Sequence, residues 1–145
     1  MPSADIDILR GLLDLEYETV AAYEAGIPLL DSAVALDAQQ FLHHELSHVG
    51  EMFGLLKQAG IKKPPGPRGT YALGHPRTSG EVLNLLHRLE STQLSAYVHA
   101  IPRLVSGPVR VAVASVFAND AQHVAVLRER LQRPPAPAAF VTGRE

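Results

Sequence analysis

Apolar residues recur every three to four positions in four separate stretches of the chain, which is the spacing of one face of an α-helix. These stretches cover about residues 5–30, 33–59, 81–105 and 109–131. The strict alternation of apolar and polar positions that is typical of strands does not occur. The pattern therefore predicts an all-α fold built from four helices.

Helix-end signals separate the four stretches. Candidates for helix starts are Ser3, the Asp31–Ser32 pair, the capping box of Thr78 and Glu81, and the Gly107–Pro108 pair. Pro28 and Pro102 should each end or kink the last turn of a helix, because proline lacks the backbone N–H that a helix needs.

The first helix is similar to the third, and the second is similar to the fourth. At one constant offset in the numbering, the same residue type recurs in the pairs Leu15/Leu89, Glu16/Glu90, Ala22/Ala96, Tyr23/Tyr97, Ile27/Ile101 and Pro28/Pro102. When the offset is increased by a single position, Glu45 and His48 correspond to Asp120 and His123. The sequence therefore encodes one helical hairpin twice.

A long segment joins the two hairpins. The residues between Gly60 and Ser79, about 20 in number, could span roughly 60 Å when extended. A helix of about 27 residues is only about 40 Å long, so the segment can cross the whole bundle. We expect residues 1–133 to form one four-helix bundle and the proline- and alanine-rich residues 134–145 to form a flexible tail.

One acidic residue interrupts the apolar stripe of each helix near its middle. The four are Glu16, Glu45, Glu90 and Asp120. In the second and fourth helices a histidine, His48 or His123, follows three positions later on the same helical face. In each hairpin the midpoint between the two acidic residues, position 30.5 or position 105, falls at the turn. All six side chains should therefore meet at one depth in the core.

Four carboxylates in an apolar core would repel one another, and each would lose hydration at a cost of several kcal/mol. Bound cations are therefore expected. Two divalent metal ions would balance the four charges, and two neutral imidazoles would complete an oxygen and nitrogen ligand set that suits iron or manganese. Zinc is the alternative, although zinc sites usually have fewer ligands.

Composition narrows the function classes further. The chain is 19% charged and 46% hydrophobic, with a formal net charge of −2 and no block of like charge, so neither nucleic acid nor a membrane surface is an expected partner. It has no cysteine, which excludes a thiolate zinc site, an iron–sulfur cluster and a thiol nucleophile. The N-terminal residues do not resemble a signal peptide, and no apolar run reaches membrane-spanning length, so we expect a cytoplasmic protein.

The ligand pattern resembles that of a known superfamily over residues 5–132. One Glu from each of two helices, with Glu-x-x-His from each of the other two, is similar to the ferritin-like di-iron carboxylate proteins, which include ferritins, bacterioferritins and rubrerythrins. The Leu-Glu-Tyr run at residues 15–17, followed by Tyr23 and Glu24, looks most like small bacterial proteins of this group. Asp120 departs from the usual glutamate by one methylene. By position, the resemblance implies that Glu16 and Glu90 are bridging or terminal carboxylate ligands.

The resemblance also implies an activity. It predicts a di-iron site that reacts with dioxygen or peroxide in ferroxidase, peroxidase or oxidase chemistry. Because the chain lacks the cysteines of a rubredoxin-like module, the resemblance implies an external electron donor.

Two other hypotheses stay open, and the sequence does not decide whether the chain is an enzyme. The bundle could be a binding or dimerisation module with a vestigial metal site, which Asp120 favours, or it could hold a redox-inert zinc or manganese ion. A homodimer would fit a second apolar stripe on the second helix. That stripe consists of Leu42, Leu46, Val49, Phe53 and Leu56.

The other polar residues near the six are assigned to other roles. Glu18 would replace Glu16 only if the helix phase were different. Tyr23 and Tyr97 are interpreted as core aromatics, with hydrogen bonding to the carboxylates as the alternative. Residues interpreted as lying outside the metal site are Glu24, the surface residues His43 and His44, and His75, His87 and His99.

Overall fold

The computed structural model describes residues 1–145 and consists of four long helices without any strand, which confirms the all-α prediction. The helices are α1 (Ser3–Gly26), α2 (Ser32–Gln58), α3 (Ser79–Ala100) and α4 (Gly107–Arg130). A short 3₁₀ turn follows α1 at Ile27–Leu29 and another follows α3 at Ile101–Arg103. None of the helices combines the length and the apolar character that a membrane-spanning segment needs.

Most of the predicted helix ends are found in the structure. Pro28 and Pro102 lie in the two 3₁₀ turns, so each proline ends its helix as expected. Thr78 and Glu81 form the predicted capping box, with Thr78 Oγ1 accepting from the Glu81 amide and Glu81 Oε2 accepting from the Thr78 amide, both at 3.2 Å. The assignment of Ser3 as an N-cap is wrong, because Ser3 is already the first helical residue.

The helices pack in the order α1, α2, α4, α3 around the bundle. Contacts at the two ends show how the hairpins meet. At one end the Asp5 carboxylate accepts hydrogen bonds from the amides of Val105 and Ser106, at 3.0 and 2.8 Å. At the other end the Ser79 hydroxyl accepts a hydrogen bond from the Asp31 amide at 3.2 Å. Each helix is therefore antiparallel to both of its neighbours.

The segment between α2 and α3 crosses the length of the bundle, as predicted. It is held against α1 about midway. The Arg68 guanidinium pairs with the Asp14 carboxylate, with Nε at 2.9 Å from Oδ1. The Tyr17 hydroxyl donates to the Pro65 carbonyl at 3.3 Å. This crossover places α3 beside α1 and closes the four-helix arrangement.

The apolar core is divided into two clusters. One lies toward the start of α1 and includes Leu9, Leu13, Met52, Leu56, Leu104 and Val113. The other lies toward the end of α1 and includes Ala22, Phe41, Val82, Leu86 and Leu127. Burying a leucine side chain stabilises a fold by about 1.5–3 kcal/mol, so these clusters supply the main driving force for the bundle. A polar layer lies between them.

Residues 134–145 run back along α4 and α3. Arg128, which is largely buried, donates from Nε to the Pro134 carbonyl and from its Nη1 atom to the Glu145 carbonyl, both at 2.7 Å. Gly143 has a φ of 77° and lies against the backbone of Ser91, where a Cβ atom would collide. Flexibility of this tail stays a prediction, since these contacts define a position and not a mobility.

Candidate metal centre

The structure brings all six sequence-predicted ligands together between the two apolar clusters. They are Glu16 on α1, Glu45 and His48 on α2, Glu90 on α3, and Asp120 and His123 on α4. The four carboxylate residues are 0% exposed, and the two histidines are 8% (His48) and 1% (His123) exposed. Each lies within a long helix, so the backbone fixes its position.

The donor atoms fall into two groups that share Asp120. Glu45, Glu90, Asp120 and His123 form one group, and Glu16, His48 and Asp120 form the other. Within each group the candidate donor atoms lie within 4.8 Å of one another. The arrangement could hold a metal ion in either group.

Distances around the two histidines are short on every side. His48 Nδ1 lies 3.5 Å from Glu16 Oε2, 3.4 Å from Glu45 Oε1 and 3.3 Å from Asp120 Oδ1. His123 Nδ1 lies 3.2 Å from Glu90 Oε1 and 3.3 Å from Glu45 Oε1. Neighbouring ligand atoms of a six-coordinate ion with bonds near 2.1 Å are about 3 Å apart, so the observed spacings suit shared coordination.

Several of the candidate metal-ligand atoms have no hydrogen-bond partner, although buried polar atoms almost always have one. Of the ligand set, the unpartnered atoms are Glu16 Oε2, Glu45 Oε1, His48 Nδ1, Glu90 Oε2 and both carboxylate oxygens of Asp120. Leaving so many charged groups unsatisfied in a protein interior would be costly. The residues therefore fit a bound cation, because a cation would satisfy the same atoms together.

The pKa values of these side chains are shifted because the groups are buried close together. Burial, and then repulsion from Glu45 and Glu90, raises the pKa of Glu16 well above its usual value, and burial with repulsion from Glu90 and Glu45 raises the pKa of Asp120 in the same way. Although burial opposes it, the adjacent carboxylates of Glu45 and Glu90 raise the pKa of His123 to about 9. The cluster is therefore an environment in which a nearby positive charge is favoured.

Two tyrosines reach across the bundle to support the carboxylates. The Tyr23 hydroxyl on α1 donates to Glu90 Oε1 on α3 at 2.6 Å, and the Tyr97 hydroxyl on α3 donates to Glu16 Oε1 on α1. Both tyrosines are 0% exposed. Both tyrosines belong to the apolar clusters, as predicted, and they also make the hydrogen bonds given as the alternative. The approximate two-fold symmetry of the hairpins relates the two contacts.

Three further buried or half-buried polar residues were not identified in the sequence, and two of them, Gln93 and His44, contact the centre. Gln93 Nε2 donates to Glu45 Oε2 at 3.3 Å. His44 Nδ1 lies 2.9 Å from His123 Nε2, so its assignment to the surface is wrong: it is half-buried because α4 packs beside it. Thr19 is buried. Thr19 and Gln93 occupy equivalent positions of the internal repeat, so the repeat offered a signal for two polar residues at one core position.

The remaining candidates do not reach the centre. Glu18 is half-buried but belongs to neither donor group. His87 is also half-buried outside them. Exposed residues are Glu24, His43, His75 and His99. The six-residue set is therefore the one acidic and histidine cluster in the core.

Comparisons with known proteins agree with this architecture. The structure is similar to the crystal structure of a conserved hypothetical protein, Rv2844, from Mycobacterium tuberculosis, with a TM-score of 0.84 and 20% sequence identity over 95% of this chain and 97% of that chain. At this identity the likeness shows the fold alone. No curated protein matches the chain. The sequence profile of the ferritin-like domain matches residues 4–133, which is most of the chain and confirms the resemblance seen in the ligand pattern. The chain therefore belongs to the ferritin-like domain family.

Proposed function

We propose that the six buried residues bind two divalent metal ions, iron in the first place, and that the loaded protein reacts with dioxygen or peroxide. The observation that carries the proposal is the set of unpartnered ligand atoms at the junction of two apolar clusters. Buried carboxylates without a counter-charge are unfavourable, whereas metal ligands in a dry site are expected to be buried.

Charge supports two ions. Four carboxylates carry four negative charges, which two divalent cations balance when the imidazoles are neutral. Asp120 belongs to both donor groups, as a carboxylate shared between two ions would. Oxygen and nitrogen donors favour iron or manganese over the soft metals that select sulfur, and the chain has no cysteine.

Iron at this position would supply electrons. Two ferrous ions can give up two electrons, enough to reduce hydrogen peroxide to two water molecules with uptake of two protons. The chain's own residues hold the carboxylates in place through Tyr23, Tyr97 and Gln93, and the apolar clusters limit the access of water. Return of the metal to its reduced state requires an external electron donor, which is part of the proposal.

Asp120 favours a second candidate function. It is one methylene shorter than the glutamate usual in the ligand pattern. A weakly occupied site would leave the bundle as a binding or dimerisation module. Of the predicted stripe, Leu56 is fully buried in the core, whereas Leu46 is 47% exposed and Leu42, Val49 and Phe53 are half-buried. A redox-inert zinc or manganese ion is the third outcome.

Metal analysis of purified protein separates these candidates. We expect the wild type to retain about two iron ions per chain after anaerobic loading with Fe(II) and removal of excess metal. The Glu45→Gln variant keeps the side-chain shape but loses the charge, and it should retain far less. Glu24→Gln, the same change at an exposed position on α1, is the matched control and should behave like the wild type.

Oxygen exposure then tests the redox step. Loaded wild-type protein should oxidise Fe(II) faster than the same concentration of iron with the Glu45→Gln variant, as measured by oxygen or peroxide consumption. Retention of metal without faster oxidation would support a redox-inert site. A fully helical protein that retains no metal would support the binding module and contradict the proposed function.

A further inference from the structure

A cleft between α2 and α4 leads from the surface to the metal centre. It has a volume of about 900 Å³ and contains His48 and Glu51 on one side and Ser115 and Asn119 on the other. α2 and α4 make the sparsest contact of the four neighbouring helix pairs, which leaves this opening between them. No other cavity of comparable size includes any of the six ligands.

The cleft reaches the centre at one ligand. His48 is the only member of the set that lines it, and at 8% exposed it is also the most exposed member. His123, its partner in the internal repeat, is 1% exposed and does not line the cleft. The centre is therefore open on the His48 side and closed on the His123 side.

The internal repeat shows which residues make this difference. On the closed side the Phe41 ring stacks on the His123 ring at 4.2 Å between centroids, and His44 lies 2.9 Å from His123 Nε2. The equivalent positions of the second hairpin, which stand in the same relation to His48, are Val116 and Asn119. Both are smaller than their counterparts, and both line the cleft. The opening therefore lies where Val116 and Asn119 replace the two larger side chains that cover the other histidine.

The walls of the cleft suit a hydrated cation. Ser47 and Ser115 offer small hydroxyl groups, and Glu51, one helical turn beyond His48, offers an exposed carboxylate. A carboxylate beside the opening attracts cations and raises their local concentration.

We propose that the α2–α4 cleft is the route by which a hydrated divalent cation reaches the buried ligands, with His48 as the first ligand that it meets and Val116 and Asn119 as the residues that keep the route open. This inference rests on the proposed metal binding. It concerns the rate of metal uptake, whereas the proposed function concerns the amount bound.

A bulky residue in the cleft wall tests the route. Ser115→Trp adds an indole at an exposed position inside the cleft, and Ala118→Trp adds the same group on the same helix outside it. Metal-free proteins would be mixed with Co²⁺ in a stopped-flow instrument, and the visible absorption of the bound ion followed. We expect Ser115→Trp to slow uptake by about tenfold or more, as obstruction of a path to a buried site does. The final amount bound should be unchanged, and Ala118→Trp should match the wild type.

A charge reversal tests the mouth of the cleft without filling it. Glu51→Lys should also slow uptake, and added salt should reduce its difference from the wild type, because screening weakens steering. Glu24→Lys makes the same change in net charge at an exposed position on α1 and should leave the rate unchanged. This pair keeps the test valid if Ser115→Trp perturbs folding, which circular dichroism would reveal.

The outcomes separate the two proposals. If wild-type protein binds Co²⁺ but neither Ser115→Trp nor Glu51→Lys slows uptake, the route is wrong and the metal site stands. If the wild type binds no Co²⁺ and no iron at equilibrium, the proposed function itself fails. A double variant, Val116→Phe with Asn119→His, copies the cover of His123 onto His48, and it should slow uptake most.

Discussion

The two hairpins make the same contact at opposite ends of the bundle, but with different chemistry. Asp5 and Ser79 occupy equivalent positions of the internal repeat, and so do Asp31 and Ser106. At one end the fully buried Asp5 carboxylate accepts two hydrogen bonds from the turn of the other hairpin, and at the other end the hydroxyl of the half-buried Ser79 accepts one. The topology of the contact is therefore shared, whereas its strength depends on charge and burial.

The largest expected effect follows from this difference. Asp5→Ala removes two hydrogen bonds to a charged acceptor and should lower the free energy of unfolding by about 2–3 kcal/mol. Ser79→Ala removes one neutral, solvent-exposed bond and should cost about 0.5–1 kcal/mol. Urea denaturation of both metal-free variants measures the two values. Equal losses would show that the two ends are equivalent in energy despite their chemistry.

At the centre the hairpins are more alike, because each supplies one tyrosine to the other's glutamate. Tyr97→Phe removes the one hydrogen bond that Glu16 accepts, and Tyr23→Phe removes a bond to Glu90, which also lies near His123. Loss of such a supporting hydrogen bond typically weakens metal affinity by about 10- to 100-fold. We expect the Tyr97 variant to be affected more.

Competitive titration with a chelator of known affinity would measure both tyrosine variants. Tyr17→Phe is the matched control, because its hydroxyl bonds to the crossover segment outside the centre. An unchanged affinity in both centre variants would mean that the tyrosines only fill the core.

The hairpins differ again one turn further along, where Gln93 is the counterpart of Thr19 in the repeat. Gln93 supports Glu45, whereas the Thr19 hydroxyl has no hydrogen-bond partner. Gln93→Thr copies the first hairpin into the second. Loss of this hydrogen bond leaves one oxygen of the charged Glu45 side chain unpaired, which costs about 1–2 kcal/mol. Metal affinity should therefore fall by roughly 5- to 30-fold.

The Gln93 variant requires two measurements, because threonine also leaves space in the core. Stability without metal reports the packing loss, and chelator competition reports the loss of affinity. The Gln122 side-chain amide bonds only to the backbone of its own helix, so Gln122→Thr should change neither the stability nor the metal affinity. A loss of stability alone would contradict the supporting role of Gln93.

The fold and the six candidate ligands could be predicted because their signals are periodic. A carboxylate in the middle of an apolar stripe is visible on one helix, and the turn positions align it with its partners. Asp5 could not be recognised in this way, since it is an ordinary acidic residue near a helix start and its partners, Val105 and Ser106, lie in a distant part of the sequence.

His44 shows a second reason for a missed residue. It sits at the edge of the Glu45 face of α2, and helical geometry alone assigns it to the surface. Only the packing of α4 beside α2 brings His123 within 2.9 Å of it. The internal repeat recovers part of this information, because it pairs His44 with Asn119 and Phe41 with Val116. A difference in residue type within a pair marks a place where the two halves of the site have different surroundings.

The smallest expected effect comes from a core position that the hairpins fill differently. Leu13 is fully buried in the first hairpin, and the equivalent position in the second is the half-buried His87. Burial, and then the charges of Arg133 and Arg128, lowers the pKa of His87 below its usual 6.5. Below pH 6.5 the unfolded chain binds a proton at His87 more readily than the folded chain does, so this residue makes the protein less stable as the pH falls.

His87→Leu removes the titrating group. The melting temperature of the variant should therefore rise relative to that of the wild type as the pH is lowered from about 7 to about 5. Because every other histidine is present in both proteins, the difference between their melting curves isolates His87. A difference that stays constant over this range would show that the proton on His87 has no influence on folding.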